Sequence, residues 1–114
     1  MTEIEIDIHS VQQWLLAGTD DQGQTMTLVD CREPSEYERA KIQGAVLMPM
    51  GSWPPEPEVL AQLEGTRVVV HCHHGGRSLR VANWFRQNGH PTAMSMAGGI
   101  DQWSLEIDPS ISRY

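Results

Sequence analysis

Hydrophobic and polar positions along this chain change period several times, and each change predicts an element. Ile4, Ile6 and Ile8 alternate with acidic residues as a short strand does. Then Ile8, Val11, Trp14, Leu15 and Gly18 recur at helical spacing, with the switch at residues 6–9 and either Asp7 or Ser10 as the cap. Thr19–Gln24 is a polar loop. Met26 to Cys31 reads as a buried strand, followed after Pro34 by a short helix over Ser35–Arg39. Ala45–Met48 is a third strand after Gly44, and Pro49 opens a stiff loop holding Trp53, Pro54, Pro55 and Pro57. Val59, Leu60 and Leu63 form a short helix before Gly65.

The central strand is Arg67–His71, whose valines Val68, Val69 and Val70 suit a parallel sheet covered on both faces. It is followed by Cys72, a glycine-containing turn, and a helix from Ser78 that carries Leu79, Val81, Ala82, Trp84 and Phe85 and stops at Gly89. A turn at Gly89-His90-Pro91 leads into a last strand near Ala93–Met96. Gly98-Gly99 then starts a final helix with Ile100 and Trp103. Strands alternating with helices predict a parallel α/β sheet.

The turn after the central strand carries the chemistry. Strand-to-helix turns of open α/β sheets are where ligands bind, because successive N–H groups and the helix N-terminus favour an anion. A thiolate at Cys72 is such an anion. Lowering a thiol from about 8.5 to about 6.5 needs roughly 2.7 kcal/mol of thiolate stabilisation, which a helix terminus and charge-assisted hydrogen bonds together supply. Cys72 is therefore the expected nucleophile. Gly75 and Gly76 allow close backbone approach, and Arg77 at the end of the loop is expected to contact an anion rather than brace the loop through a carboxylate. His73 and His74 are expected on the pocket rim, where they add positive charge tunable near neutral pH. His71 reads as a strand residue with a satisfied ring, Cys31 as a core residue, and Trp53 as either an entrance or a packing residue. Adjacent residues converge poorly on one tetrahedral ion, so His71, Cys72, His73 and His74 are not expected to hold a metal.

These residues resemble the rhodanese-like sulfurtransferases, whose active loop opens with a cysteine and closes near a basic or hydroxyl residue before a helix. Leu28-Val29-Asp30-Cys31-Arg32-Glu33, Ile42-Gln43-Gly44-Ala45-Val46 and Met96-Ala97-Gly98-Gly99-Ile100-Asp101-Gln102-Trp103 are similar to three further signatures of that family, in order. The resemblance implies a rhodanese-like α/β fold with a central, mostly parallel five-stranded sheet flanked by helices on both faces. It implies that Cys72 takes a sulfane sulfur from a small anionic donor such as thiosulfate, as a persulfide. The sulfur then passes to cyanide or a thiol acceptor such as a thioredoxin-like protein, with no cofactor. His73, His74, Gly75, Gly76, Arg77 and Ser78 form the active loop, and Asp30 and Arg32 support it. Four residues separate Cys72 from Arg77, as in the family's sulfurtransferases, whereas the related phosphatases and arsenate reductases have one more. A carrier or partner-docking module with little turnover of its own is the alternative.

Composition narrows this further. One domain over residues 1–114 is expected from 114 residues, 39% hydrophobic and 20% charged. A net charge of −7, with a pI near 5.0, disfavours nucleic acid and anionic membranes as partners. With an acidic start and no long apolar run, a cytoplasmic location is expected, where Cys31 and Cys72 stay reduced.

Overall fold

Ten elements alternate along the chain in the computed structural model, which describes residues 2–114; Met1 of the expected domain lies outside them. They are β1 (Glu5–Ile6), α1 (Ile8–Ala17), β2 (Met26–Asp30), α2 (Pro34–Arg39), β3 (Val46–Leu47), α3 (Pro57–Ala61), β4 (Arg67–His71), α4 (Gly76–Gln87), β5 (Met94–Met96) and α5 (Gly99–Glu106). A single 3-10 turn, Met50–Ser52, interrupts the proline-rich loop. The strands form one sheet in the order β1-β5-β4-β2-β3, and every neighbouring pair is parallel.

The valine run occupies the centre of this sheet because both faces need apolar cover. Val69 points to a layer with Leu28, Ile8, Val11, Ile100 and Trp103, which brings α1 and α5 onto one face. Val68 and Val70 point the other way, to Val29, Leu63, Val81 and Phe85, under α4. Burial of each such side chain contributes about 1.5–3 kcal/mol, so the two layers hold the strand ends in fixed register. Asp7 is the cap of α1: its carboxylate accepts from the Ser10 N–H at 3.1 Å and the Ser10 hydroxyl at 2.6 Å.

Several boundaries differ from the sequence reading, those of β3, α3 and α4 by the most. β3 keeps only two of four expected residues. α3 starts at Pro57 because proline supplies the first helical φ without needing a donor. α4 starts at Gly76, with the Leu79 N–H already donating to the Gly75 carbonyl at 3.1 Å, so Arg77 and Ser78 lie in its first turn. Among the described residues no helix is long and apolar enough to cross a membrane.

Candidate active site

β2 and β4 deliver their last residues side by side, Asp30 opposite His71, and the residues just beyond them build the site. Cys72 lies at its floor, 1% exposed. Its Sγ accepts from the Gly75 N–H at 3.1 Å and the Ser78 N–H at 3.3 Å, with the Ser78 hydroxyl at 3.4 Å. Ser95 Oγ stands 2.7 Å from Ser78 Oγ, and the Gly75 carbonyl, 3.1 Å away, competes with the sulfur for the single Ser78 hydroxyl proton. The Cys31 thiol lies beside Cys72 in the same buried layer. The neighbouring Cys31 thiol, followed by the Ser78 and Gly75 donors, outweighs burial and brings the Cys72 thiol down to about 4. Cys72 is therefore a thiolate at neutral pH. Gly75 makes the turn with φ 120°, in the region that favours glycine, and so aims its N–H inward.

The outer side of the loop is fixed by α5. The Ile100 N–H donates to the Cys72 carbonyl at 2.9 Å and the Asp101 N–H to the His73 carbonyl at 3.1 Å. These bonds hold the carbonyls away from the sulfur and leave the donor face of the loop toward it. A Cβ on Gly99 would lie 2.3 Å from the His73 carbonyl oxygen, so only glycine admits this approach. The double glycine thus belongs to the site through the backbone, a role the sequence reading did not assign.

Asp30 and Arg32, expected to support the loop, form a buried pair beside the site whose side-chain bonds run to α2 and Tyr114 rather than to residues 72–78. Arg32 donates from Nη2 to Asp30 Oδ2 at 2.7 Å and from Nε to Oδ1 at 3.0 Å, and its remaining donors reach the Ala40 and Glu36 carbonyls and the Tyr114 hydroxyl. With both Asp30 oxygens so engaged, His71 Nε2 is left 3.6 Å away without a hydrogen-bond partner, contrary to the satisfied ring expected for it. Burial pushes the His71 pKa down, toward the neutral ring.

Arg77 is placed differently from its expected role. Its fork closes on Glu36 with bonds of 2.6 and 2.9 Å, so it braces α4 against α2 rather than facing a ligand. Tyr114 donates to the same carboxylate at 2.8 Å. The pocket over Cys72 is lined by His73, His74, Gly76, Arg77 and Arg80. Arg80 is exposed, and among the described residues no carboxylate pairs with it. The cation free to meet an anion is thus one turn further along α4. Nothing in the charge pattern separates Arg77 from Arg80; Glu36 decides between them.

His73 and His74 do stand on the rim. The His73 ring is stacked between His74 at 4.0 Å and Tyr114 at 4.1 Å, and burial, then the neighbouring His74, push its pKa down. The tunable charge expected of His73 is therefore suppressed, and only His74, 3.7 Å from Asp101, faces solvent. Donor atoms of His73, His74 and Asp101 come within 4.8 Å of one another. Stacked rings direct their lone pairs along near-parallel planes, however, and Arg113 already holds both Asp101 oxygens, so these donors do not converge on a tetrahedral centre. Trp53 packs edge-on against Trp84 and Phe85, as a scaffold residue.

The brace has a pH signature. Arg77, assisted by Glu33 N–H and Tyr114, holds Glu36 at about 2 instead of 4.5. A depressed carboxylate stabilises the fold fully above 4.5 and loses that contribution as pH falls toward 2. Glu36→Gln should therefore cost on the order of 3 kcal/mol at pH 7, and the gap should close between about pH 5 and pH 2. Urea midpoints of both chains across that range test this; an unchanged gap in acid would mean that the ion pair contributes nothing.

The rhodanese-like domain family model matches residues 11–106. The chain is 38% identical over 91 residues to rhodanese-like/PpiC domain-containing protein 12, chloroplastic, of Arabidopsis thaliana, covering 76% of this chain and 30% of that protein. It is 31% identical over 101 residues to the tRNA uridine(34) hydroxylase of Xanthomonas axonopodis pv. citri, covering 85% of this chain and 41% of that one. The chain thus spans well under half the length of these curated relatives. Among solved structures, a rhodanese-related protein of Thermoplasma volcanium superposes with TM-score 0.76 at 23% identity, covering 96% of this chain and 98% of that one. The human single-domain sulfurtransferase TSTD1 superposes with TM-score 0.74 at 21% identity, covering 92% and 98%. At those identities the superpositions show the shared fold.

Proposed function

Because the chain belongs to the rhodanese-like domain family, we propose that it moves a sulfane sulfur from a small anionic donor such as thiosulfate to cyanide or a thiol, through a persulfide on Cys72. The observation that carries this reading is the Cys72 sulfur itself, an anion held by the Gly75 and Ser78 N–H groups beneath a pocket with one unpaired guanidinium, Arg80. The thiolate attacks the outer sulfur of thiosulfate. The sulfur–sulfur bond of the donor breaks, and its electron pair leaves with sulfite. The new terminal sulfur carries the negative charge, for which loop N–H groups and Arg80 are suitable partners. Attack on that sulfur by cyanide or a thiolate completes the double displacement and returns Cys72. Two free thiols in this site suit a reducing compartment such as the cytoplasm.

The four residues between Cys72 and Arg77 favour sulfur transfer over phosphoryl chemistry, because a shorter loop makes a narrower ring of donors. Thiosulfate treatment of the purified protein should add one sulfur atom to the intact mass, on the Cys72 peptide. Thiosulfate should also be turned over at least about a hundredfold better than an aryl phosphate. Equal efficiency on the two, or no sulfur on Cys72, would dismiss this reading. The carrier alternative draws on the chain matching only 30% of the plant relative, where such a domain is one part of a longer protein. A protein that loads sulfur but turns over slowly with cyanide and small thiols would favour it.

A further inference from the structure

A second sulfur stands directly behind the nucleophile, and double displacement with an outside acceptor makes no use of it. β2 and β4 pair Asp30 with His71, and the Cys31 N–H donates to the His71 carbonyl at 3.1 Å, so the parallel register carries on to Cys31 beside Cys72. Both side chains point into the same layer as Val29, Val70 and Val81. Neighbouring strands lie about 4.8 Å apart, inside the Cα separation of roughly 4.4–6.8 Å that a disulfide accepts. Cys31 is fully buried and does not line the pocket. It therefore meets Cys72 from the core side, while a sulfur taken up from a donor lies on the pocket side. Attacking atom, Cys72 Sγ and departing sulfur are thereby placed on opposite sides of the reacting centre, as thiol–disulfide exchange requires.

We propose that Cys31 is an internal acceptor which discharges the Cys72 persulfide as hydrosulfide, leaving a Cys31–Cys72 disulfide. The inference rests on the persulfide reading above. In this step the Cys31 sulfur bonds to Cys72 Sγ, and the bond from Sγ to the terminal sulfur breaks. The electron pair of that bond stays on the terminal sulfur, and the Cys31 proton goes to it, so hydrosulfide leaves. The sulfane sulfur gains two electrons and the two cysteines lose them. A dithiol reductant, of the kind a thioredoxin-like protein presents, then reduces the disulfide and restores both thiols. The neighbouring Cys72 and then burial push the Cys31 thiol pKa up, so it rests protonated beside Cys72. Once Cys72 carries sulfur, the negative charge moves to the terminal atom and Sγ becomes an electrophile facing that same thiol. The site thus acts as a reductase for sulfane sulfur, with hydrosulfide as its product.

A bland role for Cys31, as hydrogen-bond donor to the thiolate only, predicts something different, and serine separates the two. Cys31→Ser keeps a donor beside Sγ but offers no sulfur to oxidise. Wild type and Cys31→Ser are each loaded with thiosulfate, desalted without air, and held with no thiol present. Hydrosulfide is trapped with monobromobimane, and the chain mass is read under non-reducing conditions. The wild type should lose its added sulfur in a first-order decay independent of protein concentration, release one hydrosulfide per loaded chain, and end two hydrogens below the reduced mass. Cys31→Ser should hold its persulfide at least about tenfold longer. A wild-type persulfide as durable as that of the serine chain, or hydrosulfide release without the internal disulfide, would overturn the proposal while leaving sulfur transfer intact. Failure of the wild type to take up sulfur would overturn both readings. If the serine chain does not fold, Cys31→Ala takes its place, and a persistent wild-type persulfide is decisive without any variant.

Discussion

Cys72→Ser is expected to lower thiosulfate-to-cyanide transfer by at least about a thousandfold while leaving the fold intact. A serine hydroxyl fits the same space, and the Gly75 and Ser78 N–H groups still point at it. What it lacks is a reachable anion and a sulfur able to form a persulfide. The wild-type thiolate forms at about 4, so the rising limb of donor attack should fall near that pH. This is lower than the sequence alone suggested, and it leaves nucleophile ionisation complete at neutral pH. A falling limb from loss of imidazolium near neutrality is not expected from His73, whose ring is already held toward the neutral form. Steady-state rates of both chains between about pH 3 and pH 8 check this. Serine-variant turnover within about tenfold of wild type would remove Cys72 from the reaction.

Arg32→Ala is expected to be the most destabilising single change near the site, by about 3–5 kcal/mol. Arg32 is fully buried and pairs with a fully buried Asp30, so its removal strands a carboxylate in the core with only the unpartnered Nε2 of a neutral-leaning His71, 3.6 Å away, beside it. It also releases the Ala40 and Glu36 carbonyls and the Tyr114 hydroxyl. Against a total stability of about 5–15 kcal/mol this lowers the melting temperature by about 12–20 °C. The loss comes mainly from the stranded charge, so Asp30→Asn combined with Arg32→Met should recover part of it. Calorimetric melting of the three chains tests this. A single variant melting within a few degrees of wild type, or a double variant no better than the single, would show that the pair contributes little.

How much of this was legible beforehand follows from the range of each interaction. Val68–Val70, the caps and the glycine stops are local signals, and they located every strand and helix, with the ends of several elements off by a residue or two. Cys72 was legible because strand, cysteine, glycines and helix are contiguous in the chain. Arg77 was misplaced because its partner, Glu36, lies on another helix, and the same carboxylate takes a bond from Tyr114 near the far end of the sequence. Charge alone could not distinguish it from Arg80. Cys31 reads as an ordinary core cysteine until the register of β2 against β4 sets it beside Cys72. His71 appeared satisfied because its nearest carboxylate is in the right place; Arg32 had already taken both oxygens.

The bonds from the start of α5 to the Cys72 and His73 carbonyls carry a consequence for timing. The loop owes its final shape to a segment translated after it, and β5 must join the sheet before α5 can reach it. Contacts that close long stretches of chain form late. During synthesis, then, Cys72 emerges as a thiol of ordinary acidity. Its thiolate-stabilising donors gather from β2, the loop and α4, and docking of α5 then fixes the loop carbonyls outward, so the pocket that oxidants meet is finished last.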